Sequence, residues 1–90
     1  VGIMRFHFID YLGVTGNKRD GWKIRYSRLG KTKFRCRSAK PKDVIAALWG
    51  WGVLKNPGKY VVVEEKGQYT VFESVSERPI CAFFQLPGDN

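Results

Sequence analysis

Hydrophobic and polar positions alternate with a period of two along most of this chain and take a helical period in one place. From Met4 to Tyr11, the run Met-Arg-Phe-His-Phe-Ile-Asp-Tyr puts Met4, Phe6 and Phe8 on one face and Arg5, His7 and Ile9 on the other. That alternation predicts a strand. Leu12 to Gly21 follows, with Gly13, Gly16 and an Asp20-Gly21 step, and reads as a surface loop. Its length favours a binding role over a plain connection.

Next comes a predicted hairpin: Trp22 to Leu29, a turn at Gly30-Lys31, and Thr32 to Ser38. Trp22, Ile24 and Tyr26 share one face of the first arm, and Phe34 with Cys36 share one face of the second. The alternate positions are all cations: Lys23, Arg25, Lys33, Arg35 and Arg37. Pairing the apolar sets inward would line these five along one outward face.

Lys40 to Gly52 carries the helical period. Pro41 suits the first turn, Asp43 suits the positive N-terminal end, and Gly50 or Gly52 can end the helix in a left-handed conformation. Val44, Ile45, Leu48 and Trp51 form the predicted apolar stripe. Trp49 falls off that stripe and reads as buried against the small domain. After a turn at Lys55–Lys59, Tyr60–Glu64 and Tyr69–Glu73 predict a hairpin closed at Glu65–Gln68, with Gly67 left-handed. Ile80 to Leu86 gives a final apolar strand, read as an edge through which a homodimer would form. The sum is one α+β domain over residues 1–90, with a mostly antiparallel sheet of five to six strands and one helix packed on it. The predicted order is three strands, a helix and three strands. Val1–Ile3 ahead of Met4 read as a cloning remnant.

Charge changes the picture. Between Lys18 and Lys42 lie eleven basic residues and one acid, Asp20, so the formal +8 of the chain is concentrated in that window. The residues are Lys18, Arg19, Lys23, Arg25, Arg28, Lys31, Lys33, Arg35, Arg37, Lys40 and Lys42. A local field of this kind attracts a polyanion at long range and neutralises it at contact. Directly opposed like charges on a sheet cost stability, so a uniformly cationic face is better explained by a bound polyanion than by solubility. Nucleic acid, DNA or RNA, is the expected partner, with all eleven residues as contacts. Inward-facing aromatics would leave a phosphate-contacting surface, whereas an exposed Trp22 or Tyr26 would allow stacking on single-stranded bases. The competing reading is a small phage-type or mobile-element accessory protein. It would bind an acidic protein surface, with Trp49 and Trp51 as anchors.

A three-stranded antiparallel sheet followed by a helix, with basic residues on the sheet, resembles the arm-site DNA-binding domains of tyrosine recombinases and the plant AP2-type domains. The likeness covers Met4 to Trp51 as topology. It implies a sheet entering the major groove, with Arg25, Arg35 and Arg37 toward bases or phosphates.

Catalytic and metal chemistry find little footing. Gly30-Lys31-Thr32 lacks the glycine that a phosphate-binding loop requires at position 25, which is Arg25. Gly13-Val-Thr-Gly16 would grip a nucleic-acid backbone through its amides, but reads first as a plain turn. Glu64-Glu65-Lys66 reads as a solvated hairpin tip, and His7 as a partly buried strand histidine without a partner for base catalysis. Cys36 and Cys81, with one histidine in the chain, make no zinc site. They read as reduced core thiols of an intracellular, cytoplasmic protein, or else as one strand-to-strand disulfide. No cofactor, metal or membrane partner is expected, and no enzyme.

Overall fold

The computed structural model describes residues 4–27 and 33–85. Seven strands and one helix follow in the order β1 (Met4–Ile9), β2 (Tyr11–Asn17), β3 (Gly21–Tyr26), β4 (Lys33–Cys36), α1 (Pro41–Gly50), β5 (Tyr60–Glu65), β6 (Gln68–Glu73) and β7 (Pro79–Gln85). The fold is α+β, with a helix packed on a mostly antiparallel sheet. Five strands form the main sheet in the order β4-β1-β7-β6-β5, and β2 with β3 form a separate ribbon.

Register decides what each face of the main sheet carries. Phe6 pairs with Phe34, Phe8 with Phe83, Tyr69 with Phe83, and Val71 with both Cys81 and Val62. One face is therefore aromatic and aliphatic over its centre. Phe6 and Phe34 stack with centroids 5.4 Å apart, while Phe83 meets Phe34 edge-on at 4.9 Å and Tyr69 face-on at 5.4 Å. Each such ring pair contributes about 0.5–1.5 kcal/mol beyond its area burial. Helix α1 closes this face with Val44 and Leu48, both fully buried, and Leu54 joins them just after the helix. Burying a side chain of that size is worth about 1.5–3 kcal/mol.

The helix begins as its sequence dictates. Lys40 is at the N-cap in an extended conformation, proline occupies the first turn, and Asp43 lies near the positive end. Ser38 Oγ donates to the Asp43 carboxylate, and the same oxygen accepts from Lys40 N at 3.2 Å. At the other end Gly52 takes φ +75° and donates to Trp49 O at 3.1 Å. Trp51 falls beyond the last turn and is 54% exposed, so it leaves the predicted stripe. Trp49 is 41% exposed rather than buried, with one edge contact to Tyr60 at 6.0 Å.

Three pairings depart from the sequence reading. The expected loop at Leu12–Gly21 is mostly strand: β2 pairs with β3 from Tyr11↔Tyr26 to Asn17↔Gly21. The expected hairpin of β3 with β4 does not form, because β4 pairs with β1 and β3 with β2. Its turn, Gly30-Lys31, lies outside the described residues. The strand expected at the edge, β7, sits between β1 and β6. Both of its faces are covered, with Ala82 and Phe83 fully buried on opposite sides, as a continuous apolar run requires. The resemblance to three-stranded DNA-binding domains ends here, since β1, β3 and β4 do not form one sheet: β3 leaves it to pair with β2.

Candidate nucleic-acid interface

The second face of the main sheet carries Arg5, His7 and Ile9 from β1, Lys33 and Arg35 from β4, Ala82 and Phe84 from β7, Thr70 and Phe72 from β6, and Val61 and Val63 from β5. The β2–β3 ribbon lies over part of it. Gln68 Nε2 donates to the Tyr26 hydroxyl, and Lys18 Nζ at the ribbon's tip donates to Val75 O at 3.1 Å. Between ribbon and sheet remain two open clefts. One, of about 780 Å³, is bordered by Ile9, Tyr26, Val63, Thr70, Phe72 and Phe84. The other, of about 540 Å³, is bordered by Trp22, Ile24, Val61, Val63, Phe72 and Glu73.

Alternation along β3 sets the direction of each side chain. Trp22, Ile24 and Tyr26 are half-buried toward the sheet, while Lys23 and Arg25 between them are exposed. Trp22 Nε1 is buried without an acceptor among the described residues. The tip is a tight turn. Asn17 Oδ1 accepts from Asp20 N at 2.8 Å, and Gly21 follows at φ +96°. Gly16 sits opposite Trp22 at φ +100°, where a Cβ would meet Gly21 O at 2.2 Å. Only glycine lets the two arms approach this closely.

On the main sheet, β4 alternates in the same way: Phe34 and Cys36 are buried in the core, while Lys33 and Arg35 are exposed on the ribbon's side. Lys33 pairs with His7 and Arg35 with Arg5. Arg5 lies outside the basic window and was missed by it; the period-two pattern of β1, which sets it opposite the apolar face, was the available signal. His7 is buried and stacks on Phe84 at 5.6 Å.

The eleven window cations therefore separate. Lys23 and Arg25 are exposed on the ribbon, and Lys33 and Arg35 are exposed at the β4 edge of the main sheet. Among the described residues none of these four is joined to a carboxylate. Arg19 is exposed at the ribbon's tip, whereas Lys18 beside it is held by Val75 O near Glu73 and Glu77. Arg37 is exposed past the end of β4 and is not aligned with Lys33 and Arg35 on a strand. Lys40 and Lys42 are exposed at the start of α1, on the helix side of the sheet. Arg28 and Lys31 lie outside the described residues. The single face of five aligned cations is thus two separate pairs on different elements, because β3 and β4 take different partners and the ribbon lies over β5 and β6, away from β4.

The remaining sequence candidates fall elsewhere. Gly13–Gly16 is strand, with its backbone committed to β3. Glu64, Glu65 and Lys66 are exposed at the β5–β6 turn, where Lys66 and Gly67 both have positive φ, 53° and 82°, and Glu64 Oε1 accepts from Gly67 N. No cluster that would hold a metal ion occurs among the described residues. Cys36 and Cys81 are free. They stand on β4 and β7, which β1 separates by about two strand spacings, roughly 9.6 Å, beyond disulfide reach. Burial pushes the Cys81 thiol up to about 12. Burial, with a smaller contribution from the Asp43 charge, pushes Cys36 up to about 11. No helix among the described residues is long and apolar enough to cross a membrane.

Comparison with known proteins returns no matching family model, no similar curated protein and no similar solved structure.

Proposed function

We propose that this chain binds nucleic acid without catalysis, through phosphate contacts on the ribbon side of the sheet. Lys23, Arg25, Lys33 and Arg35 neutralise phosphates, and Arg5 and Arg19 flank them. One observation carries the reading. Every exposed position of β3 and β4 between the half-buried or buried apolar ones is a cation. A surface with no partner gains nothing from that arrangement.

The aromatics refine the mode of contact. Trp22 and Tyr26 turn toward the clefts, and the Tyr26 hydroxyl is engaged by Gln68. Neither offers an outward ring for stacking on bases, which favours backbone contact with a structured duplex over capture of single strands. Such binding depends on shape and weakens steeply with salt.

A titration of fluorescently labelled duplex DNA, single-stranded DNA and double-stranded RNA at low salt tests the proposal. Binding to a duplex ahead of single strands is expected. Absence of binding to all three would overturn it and leave the cations for an acidic protein surface.

A further inference from the structure

The two edges of the main sheet are built differently. Strand β4 is four residues long and is guarded by Lys33 and Arg35, the usual protection against unwanted pairing. Strand β5, Tyr-Val-Val-Val-Glu-Glu, has six residues, no proline, no lysine and no bulge against β6. Its second side is unpaired among the described residues. Val61 is 48% exposed and Val63 45% exposed on one flank, and the exposed Trp49 lies against Tyr60 on the other. An apolar edge with open backbone groups is a site for strand addition.

We propose that β5 is a dimer interface, pairing antiparallel with β5 of a second copy about a two-fold axis at Val62. The closing turn fixes which backbone groups are available. Glu65 and Gln68 flank the two-residue turn and bond to each other, so Val61, Val63 and Glu65 direct their amides and carbonyls to β6. Those of Tyr60, Val62 and Glu64 point to the open side. Centring the axis on Val62 pairs Val62 with its copy and Tyr60 with the partner's Glu64, using all three open positions on both chains.

Charge selects this register. The same axis sets Val61 against the partner's Val63 and Lys59 against the partner's Glu65, on one face of the joined sheet. Lys59 and Glu65 are both exposed. Within one chain they lie six positions apart along an extended strand, roughly 20 Å, so they cannot pair with each other. Only a second copy in this register brings them together, twice per dimer. The inference is independent of the proposed phosphate contacts, since Lys23, Arg25, Lys33 and Arg35 all lie on other strands than β5.

Sedimentation equilibrium of the full chain over a range of concentrations tests it, with circular dichroism to verify folding. The expected mass rises with concentration to twice the 10.3 kDa of one chain. Val62→Pro removes an outward-facing amide that an edge tolerates losing, and the folded variant is expected to stay at the single-chain mass. Lys59→Glu and Glu65→Lys should each weaken dimerisation roughly tenfold by making both cross-strand pairs repulsive, and the double swap should restore it. A single-chain mass at all concentrations would overturn the proposal. So would a dimer indifferent to Val62→Pro, or charge variants that the double swap fails to rescue.

Discussion

Arg35 stands directly across from Arg5 in the β4–β1 ladder, both on the ribbon's side of the sheet. Opposed like charges on neighbouring strands cost a few tenths to about 1 kcal/mol. Arg35→Thr should therefore raise stability by about that amount, measured as a higher urea midpoint, while weakening nucleic-acid binding. Opposite signs in the two measurements mark a residue kept for its partner. A loss of stability would show that Arg35 serves the fold.

Glycine at position 16 is required by two effects and glycine at position 21 by one. Both have positive φ, but a Cβ on Gly16 collides with Gly21 O, whereas one on Gly21 meets open space. Gly21→Ala should cost about 1–2 kcal/mol from the left-handed backbone alone. Gly16→Ala should cost more and loosen the ribbon over the clefts, seen as faster amide exchange at Val14 and Ile24. Equal costs for the two would mean that the arms do not approach this closely.

The buried thiols give stability a dependence on alkaline pH. Their folded pKa values, about 11 for Cys36 and about 12 for Cys81, lie above the ordinary 9.0. An unfolded chain ionises its thiols first, so their contribution is whole below pH 9 and is lost as pH rises toward the folded values. Urea midpoints should fall between pH 9 and 11, and less so in Cys81→Ala. The same pH slope in both proteins would remove Cys81 from the effect. At neutral pH both folded thiols should resist maleimide until the chain is unfolded.

Lys40 and Lys42 belong to the basic window by sequence but stand at the start of α1, on the helix side of the sheet. Replacing both with alanine should leave the salt dependence of nucleic-acid binding unchanged. A slope reduced by about two units would place the contact surface around the helix entrance instead.

Every strand but β2, the helix and the β5–β6 hairpin were legible because each depends on local periodicity and turn chemistry. Alternation shows which face a residue takes, and Lys23, Arg25, Lys33 and Arg35 do alternate with apolar partners. It does not show which strand lies alongside. The short Gly30-Lys31 step suggested β3 with β4, while the true ribbon turn was hidden among glycines that read as loop. The signal was present in Asp20-Gly21, an aspartate-glycine step leading directly into the alternating Trp22-Lys-Ile-Arg-Tyr26. Likewise, Ile80–Phe84 is apolar at both parities, the mark of a central strand rather than an edge. Of the candidate site, the cations were visible; the role of Arg5 opposite Arg35 depended on a pairing between distant segments.

The account rests most on phosphate contact by the ribbon side of the sheet. The measurement that tests it is the dependence of duplex affinity on salt, for the wild-type chain and for Lys23→Ala/Arg25→Ala/Arg35→Ala. Each phosphate contact contributes about 0.9 to the slope of log K against log salt on B-form DNA. The triple variant should bind far more weakly and lose about 2.7 units of slope. An unchanged slope with a folded variant would contradict the account.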